Sequence, residues 1–416
     1  MKYLILLTDG AADRPIDSLD GRTPLEAAAL PHITRLAQEG SVGLVSTIPA
    51  GISPGSDAAN LSVMGFDPSI YHTGRSPLEA VSMGIQMADT DVAFRCNLVT
   101  LSGEGDYEDL TILDHSSGDI SNEEAAVLMQ AINEAFGTDT IQFYAGISYR
   151  HAMIVKNGSV DYQLVPPHDV LTQKAGLYLP KGEGKGKDGA KDSIHADQIT
   201  DMMKRSYQIL SQHPVNLERQ KKGLRPANSI WIWGQGTRPR LTSFYDKYGV
   251  TGAVISAVDL IKGIGLCAGL KSIDVEGATG TLHTNYKGKA DATIQAFQSG
   301  LDFVYVHIEA PDECSHQGDL EGKIQSMEHI DQEIAGPVLA YLQESGEDFR
   351  ILVLPDHPTP MALRTHTADP VPFVLYDSKR KLSASAYQNR YSEASAQASG
   401  LFYHNGYELT DAFFKA

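Results

Sequence analysis

The sequence predicts an α/β protein with a region of different character in its middle. Apolar runs typical of strands buried on both faces lie at 3–8, 302–308 and 349–354. Each run is followed closely by acidic residues or histidines, which suits the carboxyl edge of an open α/β sheet, where ligands collect. Between about 71 and 254 the chain instead shows many short strands, loops and charged turns. We therefore expect domain boundaries near both ends of that stretch.

Length and composition favour a globular protein of two or more domains. The chain has 416 residues, of which 42% are hydrophobic, so each domain can bury a core of its own. The formal net charge of -18 argues against nucleic acid or an anionic membrane as a general partner. An acidic enzyme that binds a phosphorylated anion must therefore concentrate arginines or metal ions locally.

The cysteines and the N-terminus favour a reducing compartment. Three scattered cysteines, Cys96, Cys267 and Cys314, are too few for a disulfide framework. The apolar run after Lys2 is too short for a signal-peptide core. No apolar stretch approaches the roughly 20 residues that a membrane span needs. The expected location is the cytoplasm, and the sequence predicts no particular oligomeric state.

The first strand, over residues 3–8, ends at Asp9 and Gly10. A carboxylate at a strand end beside a glycine is either a metal ligand or part of an ordinary Asp-Gly turn, and the local sequence leaves both open. A helix is then expected over 31–40, with proline at its first position and glycine at its end, followed by a second strand over 42–48.

Ser56 lies where a glycine-rich segment, 51–55, gives way to an apolar run at helical spacing. A serine at a helix start has backbone N–H groups and the positive end of the helix dipole nearby, and both favour a bound phosphoryl group. Ser56 is therefore a candidate nucleophile. The alternative is that Ser56 or Asp57 only caps the helix.

The middle region contains further candidates for anion binding. Strands are expected at 91–101, 108–113, 140–144, 149–155 and 230–233, and helices at 121–136 and 193–212. Asp114, His115 and Ser117 form a polar cluster that either binds a substrate or caps a turn. Arg150 is either a clamp for a carboxylate or phosphate, which a guanidinium matches bidentately, or a surface arginine. Arg238 is likewise an anion ligand or a solvated loop charge.

The last third of the chain returns to an α/β pattern. Asp312 and His316 are four residues apart after the strand at 302–308, so they can bind one cation if the segment forms a helical turn. A solvated loop is the alternative. A long amphipathic helix is expected over 319–344, with a kink at Pro337.

The segment after the strand at 349–354 concentrates further candidate ligands. Asp356 and His357 lie at the strand end, and His366 follows nine residues later. Pro358 and Pro360 disfavour an immediate helix, so a loop can bring His366 back to the Asp-His pair. Taken alone, the segment also fits a turn with two solvated histidines.

Four strand ends or helix starts, far apart in the sequence, thus carry candidate ligands: Asp9; Ser56; Asp312 with His316; and Asp356 with His357, followed by His366. Chance is a poor explanation for so many coincidences. Mixed oxygen and imidazole ligands suit manganese or zinc better than calcium, which takes oxygen only. A two-metal site clamps the attacking and leaving oxygens of a phosphoryl transfer.

Several short motifs extend this interpretation across the chain. They are DG near the N-terminus, PGSDAANLSVMGFDP, GRSPLEA, FRCNLV, GISYRH, PPHD, GATG, PDECSH, and PDH followed by HT. In this order they resemble the cofactor-independent phosphoglycerate mutases of the archaeal type, within the alkaline phosphatase superfamily. The resemblance implies an alkaline-phosphatase-like three-layer α/β domain formed by residues 1–68 and 255–416. It also implies an inserted α+β lid domain, residues 69–254.

The resemblance assigns roles to the candidate residues. It implies that Ser56 is the nucleophile, forming a phosphoserine while 3-phosphoglycerate and 2-phosphoglycerate are interconverted. One metal ion would be held by Asp9, Ser56, Asp356 and His357, and a second by Asp312, His316 and His366. The ions implied are manganese or a related divalent ion (magnesium, cobalt or zinc), and no bisphosphoglycerate is needed.

The substrate-binding residues are carried over less directly, because the lid of this branch differs from that of the bacterial branch. Arg150 is the firmest match, followed by Arg75, Arg238 and the PPHD residues His168 and Asp169. Together with Asp114 and His115, the last two are also candidates for moving a proton. The expected partner is a small phosphorylated substrate. The alternatives are a related phosphotransferase, such as a proposed homoserine kinase, or a metal-dependent phosphatase.

Overall fold

The computed structural model describes residues 1–182, 194–380 and 389–415. Its strands are β1 (Lys2–Thr8), β2 (Ser41–Val45), β3 (Val92–Ser102), β4 (Thr111–Asp114), β5 (Ile141–Tyr144), β6 (Arg150–Val155), β7 (Ser229–Thr237), β8 (Gly252–Ile255), β9 (Lys271–Ser272), β10 (Phe303–Ile308), β11 (Phe349–Leu354), β12 (Val371–Asp377) and β13 (Phe402–Tyr403). Its helices are α1 (Pro24–Ala27), α2 (Pro31–Glu39), α3 (Ser56–Val63), α4 (Pro68–Tyr71), α5 (Ser76–Ser82), α6 (Asn122–Phe136), α7 (Ala196–Ser211), α8 (Pro214–Lys221), α9 (Phe244–Tyr248), α10 (Asp259–Cys267), α11 (Tyr286–Gln298), α12 (Ala310–Gln317), α13 (Leu320–His329), α14 (Gly336–Glu344), α15 (Glu393–Ser399) and α16 (Gly406–Lys415).

The chain forms two compact units. The first comprises Met1–His72 and Arg240–Ala416, and the second comprises Thr73–Pro239. Residues 69–72 and 240–254, which the sequence analysis placed in the insert, therefore belong to the first unit. Among the helices in the described ranges, none is long and apolar enough to cross a membrane.

The first unit is built on one sheet with the strand order β13-β2-β12-β11-β1-β10-β8-β9. The strands from β11 to β9 in this order run parallel to one another, whereas β12 is antiparallel to both of its neighbours. In the middle of the sheet, β10 and β11 are buried along their whole length and β1 nearly so. Their near-continuous apolar sequences are those expected of parallel strands covered on both faces.

The register of the central strands sets the position of the site. Thr8 at the end of β1 lies opposite Ile308 at the end of β10, and Leu7 lies opposite Leu354 at the end of β11. The segments that follow these three strands therefore leave the sheet side by side at its carboxyl edge. Because each segment carries acidic residues, carboxylates from distant parts of the sequence meet there.

Both ends of the chain contribute to the core of the first unit. Leu4 of β1 packs in one cluster with Val304 of β10 and Val353 of β11, covered by apolar residues of α2, α11 and α14. A buried ion pair adds to this packing, because Arg350 donates to Asp377 at 2.9 Å and to a carbonyl oxygen of α16 at 2.9 Å.

The helix expected over 319–344 is divided into two. Helix α13 ends at His329, Ile330–Ala335 forms a π-helical turn, and α14 begins at Gly336. Pro337, where the sequence predicts a kink, lies in the first turn of α14, directly after this irregularity. A proline lacks an N–H group and clashes with the carbonyl four residues earlier, and a wider π turn avoids both problems.

The second unit is built on an antiparallel sheet with the order β4-β3-β6-β5 and with β7 paired to β3. Its core joins β3 and β7 to α6 and α7 through apolar residues such as Phe94, Leu128, Met203 and Trp231. The strand expected over 108–113 is shorter, because Tyr107–Asp109 forms a single 3₁₀ turn before β4. The expected helix start at 193 lies outside the described residues.

Candidate active site

Ser56 is the first residue of α3, directly after Gly55. Gly55 occupies the N-cap position, and no side chain caps this helix. Asp57 pairs instead with His72 at 2.8 Å. The capping alternative for Ser56 is therefore wrong. The Ser56 hydroxyl is half-buried, and its Oγ lies 3.2 Å from Nε2 of His357.

Asp9, Asp356 and His357 meet at the carboxyl ends of β1 and β11. Nε2 of His357 is 3.6 Å from Oδ1 of Asp9 and 3.4 Å from Oδ2 of Asp356, and all three residues are buried. Oδ1 of Asp9 is buried without a hydrogen-bond partner. A buried carboxylate oxygen left unpaired is costly, so this oxygen marks a position that suits a metal ion.

Three buried carboxylates lie close to one another in this region, those of Asp9, Asp312 and Asp356. Burial raises the pKa of Asp9 well above its ordinary value, and the charges of Asp356 and Asp312 raise it further. Like charges without solvent are unfavourable unless a cation lies between them. The donor set therefore fits divalent ions.

A second group consists of Asp312 and His316 on α12 and His366 in the loop after β11. Nε2 of His316 is 3.1 Å from Oδ2 of Asp312, and Nε2 of His366 is 3.4 Å from Oδ1. The two imidazole nitrogens are 3.0 Å apart, so all three side chains converge on one point. Burial opposes ionisation of Asp312, but hydrogen bonds from His316 and His366 outweigh it and lower the pKa of this carboxyl.

The backbone around Arg364 orients one of these histidines. Nδ1 of His316 lies 2.9 Å from the carbonyl oxygen of Arg364, to which it donates. Nδ1 is therefore committed to this carbonyl, and Nε2, which faces Asp312, is the nitrogen that can bind a metal ion once it has lost its proton. Arg364 has φ of 54°, a left-handed conformation that costs free energy in a residue with a side chain.

His307 and Asn60, which the sequence analysis did not identify, hold the two carboxylates of the first group. Nε2 of His307 is 2.8 Å from Oδ2 of Asp9, and its Nδ1 is 3.0 Å from Oγ of Ser256. Burial lowers the pKa of His307 to about 3, so the ring is neutral. Asn60 donates to Oδ2 of Asp356 and to the carbonyl oxygen of Ser56, both at 2.8 Å. One amide thus joins the start of α3, where Ser56 lies, to a candidate ligand.

Asp114, in the second unit, forms a turn. Its Oδ1 accepts from the N–H of Ser116 at 2.9 Å, and its Oδ2 accepts from the N–H of Gly118 and from Arg225, both at 2.7 Å. Burial opposes these hydrogen bonds, but together they lower the pKa of Asp114 to about 2. The carboxylate is engaged by its own turn, which favours the turn alternative for this residue; a role for Asp114 as a substrate ligand or proton carrier stays a prediction.

His115 and His168 do come together in the second unit. Their rings lie 5.9 Å apart, and each also contacts a larger ring: Tyr149 lies 5.5 Å from His115, and Trp233 lies 5.3 Å from His168. Oδ1 of Asp169 is 3.7 Å from Nε2 of His168. The two histidines thus form part of one aromatic and imidazole cluster.

Two of the three candidate arginines are linked to this cluster. The guanidinium of Arg150, at the start of β6, lies 4.8 Å from the ring centre of Tyr149. Burial lowers the pKa of His168, and the positive charge of Arg75 lowers it further. Arg238 is half-buried just beyond the end of β7.

These features define a class of protein. A serine at a helix start that faces carboxylates and imidazoles at the carboxyl edge of a parallel sheet is the arrangement typical of a metal-dependent enzyme that transfers phosphoryl groups.

Known relatives identify the family within that class. Residues 37–216 match the family model described as 2,3-bisphosphoglycerate-independent phosphoglycerate mutase. A protein of that name from Methanosarcina barkeri is 47% identical, over 100% of both chains. A protein from Geobacter sulfurreducens, named as a probable enzyme of this kind, is 47% identical over 99% of both chains. The chain belongs to the 2,3-bisphosphoglycerate-independent phosphoglycerate mutase family, whose activity is that of an isomerase.

Solved structures agree with this assignment. A protein from Pyrococcus horikoshii has a TM-score of 0.80 and 27% identity, covering 99% of this chain and 96% of that one. The cofactor-independent phosphoglycerate mutase from Thermoplasma acidophilum has a TM-score of 0.66 and 26% identity, covering 100% of this chain and 99% of that one. The predictions of the family and of the α/β fold class are confirmed.

Proposed function

We propose that this chain interconverts 3-phosphoglycerate and 2-phosphoglycerate through a phosphoserine at Ser56, with two divalent metal ions and without 2,3-bisphosphoglycerate. The observation that carries the proposal is the approach of Ser56 to the buried groups of Asp9, Asp356 and His357. Membership of the family supports the choice of substrate.

The proposed reaction moves one phosphoryl group twice. Oγ of Ser56 loses its proton and attacks phosphorus, forming a serine phosphoester while the bond to O3 of glycerate breaks and O3 takes up a proton. The bound glycerate then reorients, and its O2 loses its proton and attacks the phosphoserine. The bond between phosphorus and Oγ breaks, and Oγ takes up a proton, which regenerates Ser56. Helix α3 contributes throughout, because its first N–H groups and dipole favour the negative phosphoryl oxygens.

We assign the first metal ion to Asp9, Ser56, Asp356 and His357, and the second to Asp312, His316 and His366. Such ions neutralise the charge of a phosphoryl group and lower the pKa of a serine hydroxyl. Manganese is the proposed ion, since the mixture of carboxylate and imidazole ligands suits it better than calcium. The buried, unpaired Oδ1 of Asp9 supports this assignment.

We assign substrate binding in part to the second unit. Arg150, Arg75 and Arg238 would bind the carboxylate or phosphate, because a local positive charge is needed in an acidic chain. His168 is the proposed proton carrier, assisted by Asp169 and His115: burial lowers its pKa, which keeps the ring neutral and able to accept a proton near pH 7. Water would hydrolyse a phosphoserine and release glycerate, so we assign the insert the role of a lid.

One assay tests the reaction. The metal-loaded protein is incubated with 3-phosphoglycerate, and any 2-phosphoglycerate is detected through enolase. Production of 2-phosphoglycerate without added bisphosphoglycerate supports the proposal. Release of inorganic phosphate alone would indicate a phosphatase, and ATP-dependent phosphorylation of homoserine would indicate a homoserine kinase; either result without mutase activity would overturn the proposed substrate.

Removal of the metal ions should abolish activity. After treatment with a chelator and its removal, we expect no measurable mutase activity, because the three carboxylates of the site then have no cation between them. Added manganese should restore activity, and calcium should restore much less, since imidazole ligands disfavour calcium. Full activity in protein shown to be metal-free by elemental analysis would exclude the two-metal assignment.

Replacement of Arg150 by lysine should lower kcat/KM for the phosphoglycerate substrate. The ammonium group cannot reproduce a bidentate contact with a carboxylate or phosphate, and we expect kcat/KM to fall by an amount equivalent to roughly 1–3 kcal/mol. Arg205→Lys is a matched control, since Arg205 also lies over an aromatic ring of the second unit, that of Phe136 at 5.0 Å. Equal kinetic effects in the two variants would remove Arg150 from the proposed site.

A further inference from the structure

Thr359 lies two residues after His357 and is completely buried. Its backbone is fixed on both sides: its N–H donates to the carbonyl oxygen of Ala12 at 3.3 Å, and its carbonyl accepts from Nζ of Lys323 at 3.0 Å. Lys323 is itself fully buried and paired with Asp13 at 2.8 Å. The position of the Thr359 side chain is therefore well defined.

The hydroxyl of Thr359 contacts one candidate ligand from each metal group. It forms a hydrogen bond with Oδ1 of Asp312, and its Oγ1 lies 3.3 Å from Nδ1 of His357. A hydroxyl has a single proton, and a carboxylate can only accept. The proton of Thr359 is therefore donated to Asp312. The contact with His357 then requires the proton of that interaction to be on Nδ1 of the ring.

This arrangement determines which nitrogen of His357 carries a lone pair and how the carboxylate of Asp312 is oriented. With the proton of the neutral His357 ring on Nδ1, its Nε2 carries a lone pair. That nitrogen is the one that faces Ser56 at 3.2 Å and Asp9 at 3.6 Å. On the other side, the hydrogen bond to Oδ1 holds the carboxylate of Asp312, whose Oδ2 lies 3.1 Å from His316.

We propose that Thr359 is a positioning residue for both metal sites at once, setting the tautomer of His357 in one group and the orientation of Asp312 in the other. The inference rests on the two-metal site of the proposed function and goes beyond it, because Thr359 would couple the two sites without binding either ion. Removal of its hydroxyl should therefore weaken binding of both ions, whereas loss of an ordinary ligand affects one site first.

Three variants test the proposal. Thr359→Val keeps the shape and removes the hydroxyl, and Thr359→Ser keeps the hydroxyl. Thr293→Val is the control: Thr293 is also fully buried, but its hydroxyl donates only to the carbonyl oxygen of Lys289 in its own helix, at 2.7 Å. Binding of manganese to metal-free protein is measured by titration calorimetry, with the melting temperature recorded for each metal-free variant.

We expect Thr359→Val to bind both manganese ions about 10- to 100-fold more weakly than wild type, the range typical of residues that orient metal ligands. Thr359→Ser and Thr293→Val should stay within a few-fold of wild type. Unchanged affinity in Thr359→Val, or loss at one site only, would overturn the proposal. A wild type that binds no manganese would instead overturn the metal assignment of the proposed function, so the two failures are distinguishable.

A second measurement applies even if Thr359→Val folds poorly. In metal-free protein labelled with ¹⁵N-histidine, long-range ¹H–¹⁵N spectra distinguish the two ring nitrogens of His357. We expect a proton on Nδ1 in wild type and in Thr359→Ser, and a shift toward the other tautomer in Thr359→Ala, which is smaller and avoids the packing risk of valine. The same tautomer in wild type and Thr359→Ala would contradict the proposed role.

Discussion

Ser56→Ala should lose mutase activity by several orders of magnitude and remain folded. A nucleophile that forms a covalent phosphoenzyme cannot be replaced by alanine without loss of the first chemical step. Stability should change little, because Gly55 and not Ser56 occupies the N-cap of α3. The measurements are the enolase-coupled rate of the metal-loaded variant and the melting temperature of the metal-free variant, since Ser56 is also a proposed metal ligand.

Ser121→Ala is a control with the opposite pattern. Ser121 is a true N-cap: its side chain accepts from the N–H of Glu124 at 3.3 Å at the start of α6. Loss of such a cap costs about 0.5–2 kcal/mol of stability. We therefore expect a lower melting temperature and near-normal turnover for Ser121→Ala, and the reverse for Ser56→Ala.

Mass spectrometry tests the proposed phosphoenzyme directly. Wild type quenched in acid during turnover should carry one phosphate on the peptide that contains Ser56, as measured by mass spectrometry. The same peptide from Ser56→Ala should carry none. Near-normal turnover of the alanine variant, or phosphate found on another residue, would exclude the phosphoserine mechanism.

The meeting of Asp9, Asp312 and Asp356 could be anticipated from the sequence because each follows closely on an apolar run. Parallel strands that are buried on both faces have a simple signature, and their carboxyl ends share one edge of a sheet. Strand order was not needed for that inference. The adjacency of β1, β10 and β11 makes the distances short, and this adjacency is visible only in three dimensions.

The residues that hold the ligands could not be identified in the same way. His307 lies inside an apolar run and Asn60 inside an apolar helix, where a polar residue resembles an occasional core residue with a satisfied hydrogen bond. Their partners, Asp9 and Asp356, are 298 and 296 positions away in the sequence. Thr359 lies within the segment that carries Asp356, His357 and His366, but nothing in the local sequence indicates that its hydroxyl reaches Asp312.

The second unit shows where residue chemistry alone leaves two alternatives open. Asp114 and His115 are neighbours in one polar segment, yet Asp114 is occupied by its own turn whereas His115 joins a cluster with His168 and Tyr149. Asx turns and substrate sites draw on the same residue types, so composition does not separate them. The path of the backbone around each side chain decides the outcome.

Asp9→Asn should stabilise the metal-free protein while it weakens metal binding by orders of magnitude. Asp9 is buried beside Asp356 and Asp312, so neutralising it removes the desolvation cost of a buried charge and its repulsion by the two neighbouring carboxylates. An asparagine oxygen can still accept from His307, and its amide can donate to the neighbouring carboxylates. The melting temperature of the metal-free variant should therefore rise above that of metal-free wild type.

Replacement of another buried aspartate, Asp377, by asparagine should instead lower the stability of the metal-free protein. Asp377 is also a buried carboxylate of the first unit, but it is paired with Arg350 at 2.9 Å. Asp377→Asn removes the charge of a carboxylate that is ion-paired with a buried arginine, at a cost of about 3–5 kcal/mol, and its manganese affinity should stay near that of wild type. Thermal unfolding with and without manganese measures both effects. If metal-free Asp9→Asn melts below wild type, as Asp377→Asn is expected to, the carboxylates at the strand ends do not repel one another and the case for a cation between them fails.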